Sequence, residues 1–191
     1  MIPTLYKKFQ YWSNGGSIWI ISDTHFDDVD CKYMDSNWLE PQEHIDIIKK
    51  YVHKDDTLIH LGDVGNAKWL EQIKAYKILI MGNHDQSATK FNDYFDEIYT
   101  GALFISEKIL LSHEPIISKE GMWFNIHGHD HDNTLKDFAN KDGFVELWNE
   151  LNLASNIANY KPYNLGASIK NGLLSCTYGI HRVTIDKASN K

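Results

Sequence analysis

The sequence contains few of the residues on which several protein classes depend. Two of its 191 residues are cysteine, and only one of its 19 basic residues, Arg182, is an arginine. Cys31 and Cys176 stand in no metal-like or redox-like spacing, so a disulfide scaffold is excluded and we interpret both as reduced thiols. The guanidinium group of arginine forms paired hydrogen bonds to phosphates and base edges, and this sequence has almost none of it. The sequence also lacks the stripe of basic residues that is typical of proteins that bind nucleic acid. We therefore expect no long nucleic acid among the partners of this protein.

Long hydrophobic runs are absent as well. The longest apolar run near the N-terminus is residues 18–21, far shorter than a membrane span, and no signal-peptide pattern precedes it. Hydrophobic residues make up 42% of the chain and charged residues 24%, with a net charge of -7, which is typical of a soluble globular protein. We predict a single cytoplasmic domain over residues 1–191 without a membrane partner, and its oligomeric state stays open.

The first half of the sequence alternates between short apolar runs and amphipathic segments. Residues 17–22, 57–61 and 77–81 are rich in isoleucine or leucine and end in polar or glycine-bearing turns, which is typical of buried strands. Between the first two runs, Pro41 stands at a first helical position and apolar residues follow at helical spacing. Residues 67–76 form a similar segment. This alternation of strands and helices predicts a layered α/β fold.

The second half is richer in strands. We predict strands over residues 98–106, 108–112 and 122–127, and a closing hairpin between residues 173 and 186. Residues 138–160 are the exception, because their apolar side chains recur at helical spacing and predict an inserted helix.

Five of the predicted strands end in clusters of side chains that are able to bind metal ions. These clusters are Ser22-Asp23-Thr24-His25, Leu61-Gly62-Asp63, Gly82-Asn83-His84-Asp85, Ser112-His113-Glu114 and His127-Gly128-His129-Asp130-His131. In α/β sheets, ligands bind outside the carboxyl ends of strands. The clusters bring together aspartates, an asparagine and several histidines, and they contain no cysteine. This set favours a pair of divalent metal ions with mixed oxygen and nitrogen ligands.

The spacing within the clusters has physical reasons. Asp23 and His25 are two residues apart in extended chain, so their side chains point to the same side, and His129 and His131 repeat this arrangement. A carboxylate such as that of Asp63 is able to bridge two cations about 3.5–4 Å apart, which is the two-metal geometry of phosphoryl displacement.

The order of these motifs resembles that of the calcineurin-like metallophosphoesterase superfamily. Between residues 23 and 131 the sequence contains, in this order, Asp-x-His, Gly-Asp, Gly-Asn-His-Asp, His and Gly-His-x-His. The later Asn-Leu-Gly at residues 164–166 is similar to a late motif of that family. Residues 22–26 and 61–64 look most like the small bacterial and bacteriophage phosphoesterases. The resemblance implies an α/β fold of the metallophosphoesterase type, a four-layer α/β/β/α sandwich with two mixed sheets.

The resemblance also implies how the motif residues share two metal ions. One ion is expected on Asp23, His25, Asp63 and His131, and the other on Asp63, Asn83, His113 and His129. Asp63 is then the bridge between the ions. His84 is the expected catalytic residue, a histidine that binds no metal and faces the substrate.

Three further polar residues stand close to the expected ligands in the sequence. Asp85 either fixes a ligand or the backbone turn, or is a solvated turn residue. Asn66 stands where the serine/threonine protein phosphatases have an aspartate that orients the catalytic histidine, and their arginine is missing here. This departure counts against a protein phosphatase and leaves the support of His84 open. His127 is either a buried structural histidine or part of the motif that follows it.

The activity that the resemblance implies is hydrolysis of a phosphate ester by a hydroxide that bridges two metal ions, with His84 bonding the phosphoryl oxygen or protonating the leaving oxygen. The shortage of arginine favours a small phosphorylated substrate, either a phosphodiester or a nucleotide-like molecule. We expect manganese, Mn²⁺, with iron, nickel and zinc as alternatives. A non-catalytic metal-binding scaffold or interaction module on the same fold is the competing hypothesis, although every expected ligand is present.

Two features bear on the choice of substrate. Residues 132–163 exceed an ordinary connection and begin beside two expected ligands, so we expect a helical cap that limits substrate size. A helix docked away from the pocket is the alternative. The aromatic residues Phe26, Trp69, Trp123 and Trp148 either line a pocket for a base or aromatic leaving group or pack in the core.

Overall fold

Two mixed sheets form the centre of the fold in the computed structural model, which describes residues 11–12, 16–106, 108–116, 123–133 and 150–170. The first sheet has the strand order β4-β3-β2-β1-β9 and consists of β1 (Ile18–Ile21), β2 (Thr57–His60), β3 (Tyr76–Ile80), β4 (Glu97–Tyr99) and β9 (Tyr163–Asn164). The second sheet has the order β5-β6-β7-β8 and consists of β5 (Leu103–Phe104), β6 (Ile109–Leu111), β7 (Phe124–His127) and β8 (Glu150–Asn152). The α-helices are α1 (Cys31–Met34), α2 (Pro41–Tyr51) and α3 (Leu165–Lys170), and 3₁₀ helices cover Ala67–Gln72 and Ala88–Phe91.

The parallel part of the first sheet confirms the strands predicted for the first half of the chain. β1 to β4 pair in parallel in the order of the sheet, and β9 is antiparallel to β1. Ile20 lies opposite Ile59, which lies opposite Ile78, so a row of β-branched side chains crosses the sheet. Such residues pack well on a pleated surface, which is why these runs form strands.

The helices of the first half pack on the outer face of this sheet. α2 forms where it is predicted, begins at a proline, and has a capping box between Glu40 and Glu43. Its buried residues include Ile48, which joins the core under the helix. The second predicted helix is shorter than expected, a 3₁₀ helix over Ala67–Gln72 that Asn66 caps by accepting a backbone N–H.

The strands of the first sheet are apolar on both faces because alternate residues enter two different cores. Ile18 and Ile20 of β1 belong to the core between the sheets, which Ile109 and Ile126 of the second sheet complete. Ile21 belongs to the core between the first sheet and its helices. This two-sided burial explains why the sequence of these strands reads as continuous apolar runs.

The second half differs from the prediction in two places. Residues 98–106 are not one strand: their first part belongs to β4 and their last part to β5, which lie in different sheets, and the exposed residue Gly101 stands between them. The helix predicted over residues 138–160 is wrong at its end, where β8 pairs with β7 and residues 155–160 form turns. Pairing at the edge of the second sheet has overridden the helical periodicity there. Residues 134–149 and the predicted hairpin lie outside the described residues.

The two mixed sheets confirm the predicted α/β fold class. The five motifs lie in loops that follow β1, β2, β3, β6 and β7. Since β1 to β3 are parallel to one another, and β6 is parallel to β7, these loops leave the carboxyl ends of the strands within each sheet. The N–H of Gly128 donates to the carbonyl of His113, and the N–H of His129 donates to the carboxylate of Asp23, which joins loops of the two sheets. In the described ranges, no helix is long and apolar enough to cross a membrane.

Candidate metal centre

The loop after β1 carries two expected ligands in an unusual backbone conformation. Asp23 and His25 have φ angles of 52° and 42°, in the left-handed region that non-glycine residues rarely adopt. Their N–H groups donate to the carbonyl oxygens of Gly62 (2.9 Å) and Asp63 (3.0 Å) in the loop after β2. These bonds hold the first two motifs against each other. Strained backbone of this kind concentrates at functional sites.

His60, the last residue of β2, bonds to the same two loops, although it belongs to none of the sequence motifs. Its Nδ1 accepts the N–H of Gly62 (3.1 Å), and its Nε2–H donates to the hydroxyl of Thr24 (2.9 Å). That hydroxyl donates in turn to the carbonyl of Val64 (2.9 Å). Burial lowers the pKa of His60 to about 3, so the ring is neutral, as this bonding pattern requires. His60 is therefore a core histidine with a partner on each ring nitrogen, and it holds the two loops together.

Asp85 connects the loops after β2 and β3. One carboxylate oxygen accepts the N–H of Asp63 (2.8 Å) and that of Gly82 (2.9 Å), and the other accepts the N–H of Val64 (3.1 Å). The side chain is buried. Of its two interpretations from sequence, the structure therefore favours the one in which Asp85 fixes the backbone beside a ligand.

Three of the expected ligands form a first cluster, made of Asp23, His25 and His131. One ligand atom from each lies within 4.8 Å of the others. His131 donates its Nδ1–H to Asn156 (3.0 Å), which leaves Nε2 free to face Asp23 Oδ1 at 3.5 Å. The chemistry of this set, one carboxylate and two imidazoles, fits a divalent transition metal.

His25 gives the clearest indication that the first cluster fits a cation. Its Nε2 is buried and has no hydrogen-bond partner among the described residues, which is costly for a polar atom unless a metal ion takes that place. The opposite nitrogen, Nδ1, lies 3.5 Å from Asp28 Oδ2. Burial lowers the pKa of His25, and the neutral ring that this favours is the form that binds metals.

A second cluster consists of Asp63, His113 and His129, whose ligand atoms also lie within 4.8 Å of one another. The side-chain oxygen of Asn83 lies between the two rings, 2.8 Å from His113 Nε2 and 3.1 Å from His129 Nδ1. His113 Nδ1–H donates to the carbonyl of Leu61 (3.0 Å), which directs Nε2 toward the centre. All four residues expected on the second metal ion are thus brought together.

Asp63 belongs to the second cluster and also faces the first. Its Oδ2 is 3.7 Å from His25 Nε2 in the first cluster and 3.3 Å from His113 Nε2 in the second. Burial alone would raise the pKa of Asp63, but the hydrogen bond and charge of His113, with a backbone N–H, lower it to about 2. The carboxylate is therefore ionised at neutral pH, which is the form able to bridge two cations.

His84 stands at the edge of the centre and belongs to neither cluster. Its N–H donates to Asp63 Oδ1 (2.9 Å), and its ring centroid lies 5.5 Å from that of His25. The side chain is exposed. This position agrees with the expected role of a histidine that faces a substrate rather than a metal ion.

Glycines allow the loops to approach each other at the centre. A Cβ atom on Gly128 would lie 2.0 Å from Ser22 Oγ and 2.1 Å from Asp23 Oδ2. One on Gly82 would lie 2.2 Å from Asp63 Oδ1. Only residues without a side chain permit these contacts between backbone and carboxylate.

Sequence reasoning missed an aromatic wall beside the first cluster. The buried ring of Trp38 has its centroid 5.9 Å from that of His25, 5.5 Å from that of His131 and 5.8 Å from that of Tyr160. Trp38 lies in the loop before α2, where no motif or periodicity marks it. Contacts of this kind depend on how distant segments pack, so the sequence offered no signal for them.

A third group of potential ligands shares His25 with the first cluster and adds Asp28 and Cys31. Burial and the neighbouring carboxylates raise the pKa of Cys31 to about 12, so the thiol stays protonated. Cys31 is not among the residues expected on either metal ion, and its raised pKa disfavours the thiolate form that metal ions bind. It is a free, buried cysteine, in agreement with its interpretation as a reduced thiol.

Two motif residues have roles outside the clusters. Asn66 donates to Asp27 (2.6 Å) and caps the 3₁₀ helix at Lys68, so its hydrogen bonds serve the neighbouring loop rather than the ligands. His127 is fully buried, with its ring nitrogens 2.8 Å from Glu150 Oε2 and from the carbonyl of Gly128. It is a structural histidine that joins β7 to β8.

Known proteins provide an independent view of this arrangement. A solved structure of a protein of unknown function from Aquifex aeolicus is 28% identical to this chain with a TM-score of 0.65, and the match covers 82% of this chain and 99% of that one. No curated protein matches the chain. The family model of the calcineurin-like phosphoesterases matches residues 16–178, a range that includes every residue of both clusters. The chain therefore belongs to the calcineurin-like phosphoesterase family, a family of metal-dependent phosphoester hydrolases.

Proposed function

We propose that this protein hydrolyses a small phosphodiester or nucleotide-like substrate with the help of two divalent metal ions. The observation that carries the proposal is the position of Asp63, whose Oδ2 lies within 3.7 Å of a histidine nitrogen from each of the two ligand clusters. A shared carboxylate between two sets of imidazoles is the arrangement that holds two ions close together. Manganese is our first choice for both ions, because carboxylate and amide oxygens suit it beside imidazole.

The bound ions would supply an activated water molecule and neutralise the charge of the phosphate oxygens. The residues of the chain position the ions and bond to the substrate. Asp85 and His60 hold the loops so that the ligands are positioned before any substrate arrives. His84 is placed to donate a hydrogen bond to a phosphoryl or leaving-group oxygen, because its backbone is bonded to Asp63 while its ring is exposed.

Charge supports a diester over a monoester. Within the described ranges, the hydrogen bonds and ion pairs at the two clusters involve histidine, aspartate, asparagine and backbone groups. A site without a guanidinium fork suits the single negative charge of a diester better than the double charge of a monoester. The net charge of -7 also disfavours a polyanionic polymer, so we propose a small substrate.

The end of the segment from residue 132 to residue 163 supports a role in limiting substrate size. Ser155 donates its hydroxyl to the carbonyl of Ser22 (2.6 Å), and Asn156 bonds both the ring and the backbone of His131. These contacts place residues 155–160 against the first cluster. We propose that residues 155–160 cover one side of the centre and exclude long nucleic acid. These residues form turns rather than the predicted helix.

The direct test of the proposed function is hydrolysis of bis(p-nitrophenyl) phosphate by the purified protein, first freed of metals and then supplied with Mn²⁺. We expect release of nitrophenolate only after the metal is added, and slower release from p-nitrophenyl phosphate, the matching monoester. A protein that binds two ions per chain but cleaves neither ester would support the scaffold hypothesis instead.

Replacement of the bridging carboxylate tests the two-metal assignment. We expect Asp63→Asn to lower the content of both ions, because a neutral amide loses the charge that attracts them. Metal analysis of protein equilibrated with Mn²⁺ measures the number of ions per chain. Asp132→Asn removes an exposed carboxylate from the same part of the molecule and is the matched control. Two tightly held ions in Asp63→Asn would show that Asp63 is not the bridge.

Replacement of the exposed histidine tests its catalytic role. We expect His84→Ala to lower kcat by about 10²–10⁴ and to leave the metal content unchanged, because the ring belongs to neither cluster. His53→Ala removes another exposed histidine, which follows α2, and is expected to have no effect. Loss of an ion from His84→Ala would mean instead that His84 is a ligand.

A single methyl group tests the close approach of the loops. We expect Gly128→Ala to displace Asp23 and to remove the ion of the first cluster, because the new Cβ would lie 2.1 Å from Asp23 Oδ2. Gly101→Ala is the matched control, since no atom lies within 4 Å of its Cβ position. Metal analysis and thermal denaturation measure both variants. If Gly128→Ala kept two ions and full stability, Gly128 would not lie against Asp23 as the structure has it.

A further inference from the structure

A pocket of about 380 Å³ lies beside the metal centre and has no role in the function proposed so far. Its lining residues come from the loop after β1 and from the 3₁₀ helix that follows β2: Asp27, Asn66, Lys68, Trp69, Glu71 and Gln72. Both segments leave the carboxyl end of the first sheet, where ligands of α/β folds bind.

Chain connectivity places this pocket close to the ligand clusters. Asp27 follows His25 by two residues, and Asn66 follows Asp63 by three, so their Cα atoms lie at most about 8 and 11 Å from those of the ligands. The isolated bridge between Phe26 and Gly65 joins the two segments. The pocket is therefore built on the same two loops as the expected ligands, at a separation that one nucleotide-type substrate is able to span.

The hydrogen bonds in the pocket orient an aromatic ring. Asp27 Oδ2 accepts the indole N–H of Trp69 (2.9 Å) and the side-chain N–H of Asn66 (2.6 Å). The bond from Trp69 restrains the orientation of its indole ring, which is only half-buried. Asp27 Oδ1 has no hydrogen-bond partner among the described residues and stays available as an acceptor.

The charge of the pocket indicates what kind of group it accepts. Its charged residues are Asp27, Glu71 and Lys68, with one more negative than positive charge, so a phosphate would be repelled. A planar, uncharged ring with N–H donors fits the fixed indole face and the free carboxylate oxygen. Nucleobases have this chemistry: they stack on aromatic side chains, and their amino groups donate to carboxylates.

We infer that this pocket binds the base of a nucleotide-type phosphodiester whose phosphate lies at the metal centre. Trp69 provides the stacking surface and Asp27 the acceptor for base N–H groups. The inference rests on the proposed function for the position of the phosphate. Binding of the base itself needs no catalysis, and the two are therefore testable separately.

Binding of nucleosides without phosphate tests the pocket alone. We expect adenosine and guanosine, at concentrations on the order of millimolar, to shift the NMR signal of the Trp69 indole N–H, because a single stacked base gives weak affinity. Trp69→Leu assigns that signal by its loss. Ribose is the control and is expected to shift nothing. If neither nucleoside moves the Trp69 signal, with or without Mn²⁺, the inference is wrong.

Kinetics test the link between the pocket and the centre. Two diesters share a nitrophenolate leaving group: a nucleoside 5′-(p-nitrophenyl phosphate) and methyl p-nitrophenyl phosphate. We expect Trp69→Leu to raise KM for the nucleoside ester on the order of ten-fold and to leave KM for the methyl ester unchanged. Trp69→Phe keeps a ring for stacking and for packing, and is expected to retain most of the preference.

Trp123→Leu is the matched control for these kinetics. Trp123 is also half-buried, but it precedes β7 at the end opposite to the metal-binding loop, so we expect no change in either KM. An equal rise for both esters in Trp69→Leu would assign the pocket to the aromatic leaving group and overturn its assignment to the base. If the wild type cleaved neither ester, the proposed function would fail, and the nucleoside titration would still decide the pocket.

Discussion

The electrostatic balance around Asp63 is the constraint on which the rest of the centre depends. Two buried carboxylates, Asp23 and Asp63, lie within 4.0 Å of histidine nitrogens, and the buried His25 Nε2 finds no hydrogen-bond partner in the part of the chain that the structure describes. Burying negative charge in this way is costly without cations to compensate for it. The family to which the chain belongs is metal-dependent, and cations bound between these side chains would offset this cost. The same ions that a phosphoesterase needs for its reaction therefore also stabilise the folded state.

Such a centre requires backbone geometry that a regular α/β sheet does not provide. Positive φ angles, between 42° and 67°, occur at four of the expected ligands: Asp23, His25, Asp63 and His129. Each such residue costs on the order of 1 kcal/mol, and the cost is offset by bonds between loops, such as those of Asp85 and His60. The rigid parallel strands set the positions where the loops begin. The loops then hold the ligands in a conformation that they would not adopt alone.

The sequence was sufficient for the parts of the molecule whose information is local. The strands of the first sheet and α2 follow from runs such as residues 57–61 and from the proline at residue 41, and the expected ligands follow from motifs at strand ends. Features that depend on distant packing were not predictable. β8 forms because β7 offers an edge to pair with, and Trp38 reaches two ligands only after the chain has folded. Periodicity at residues 138–160 predicted a helix because it carries no information about such an edge.

The two sides of the centre differ in their exposure to solvent, and this asymmetry follows from where each ligand stands in the fold. At the first cluster, Trp38 packs against His25 and His131, Asn156 bonds to His131, and Asp23 is 0% exposed. At the second cluster, Asn83 and His129 are exposed, as is the neighbouring His84. Solvent reaches the centre on this side because the loop after β3 is short and nothing in the described ranges covers it. The exposed side of the centre therefore presents His84 and the second cluster to solvent, while Asp23 and His25 of the first cluster are buried.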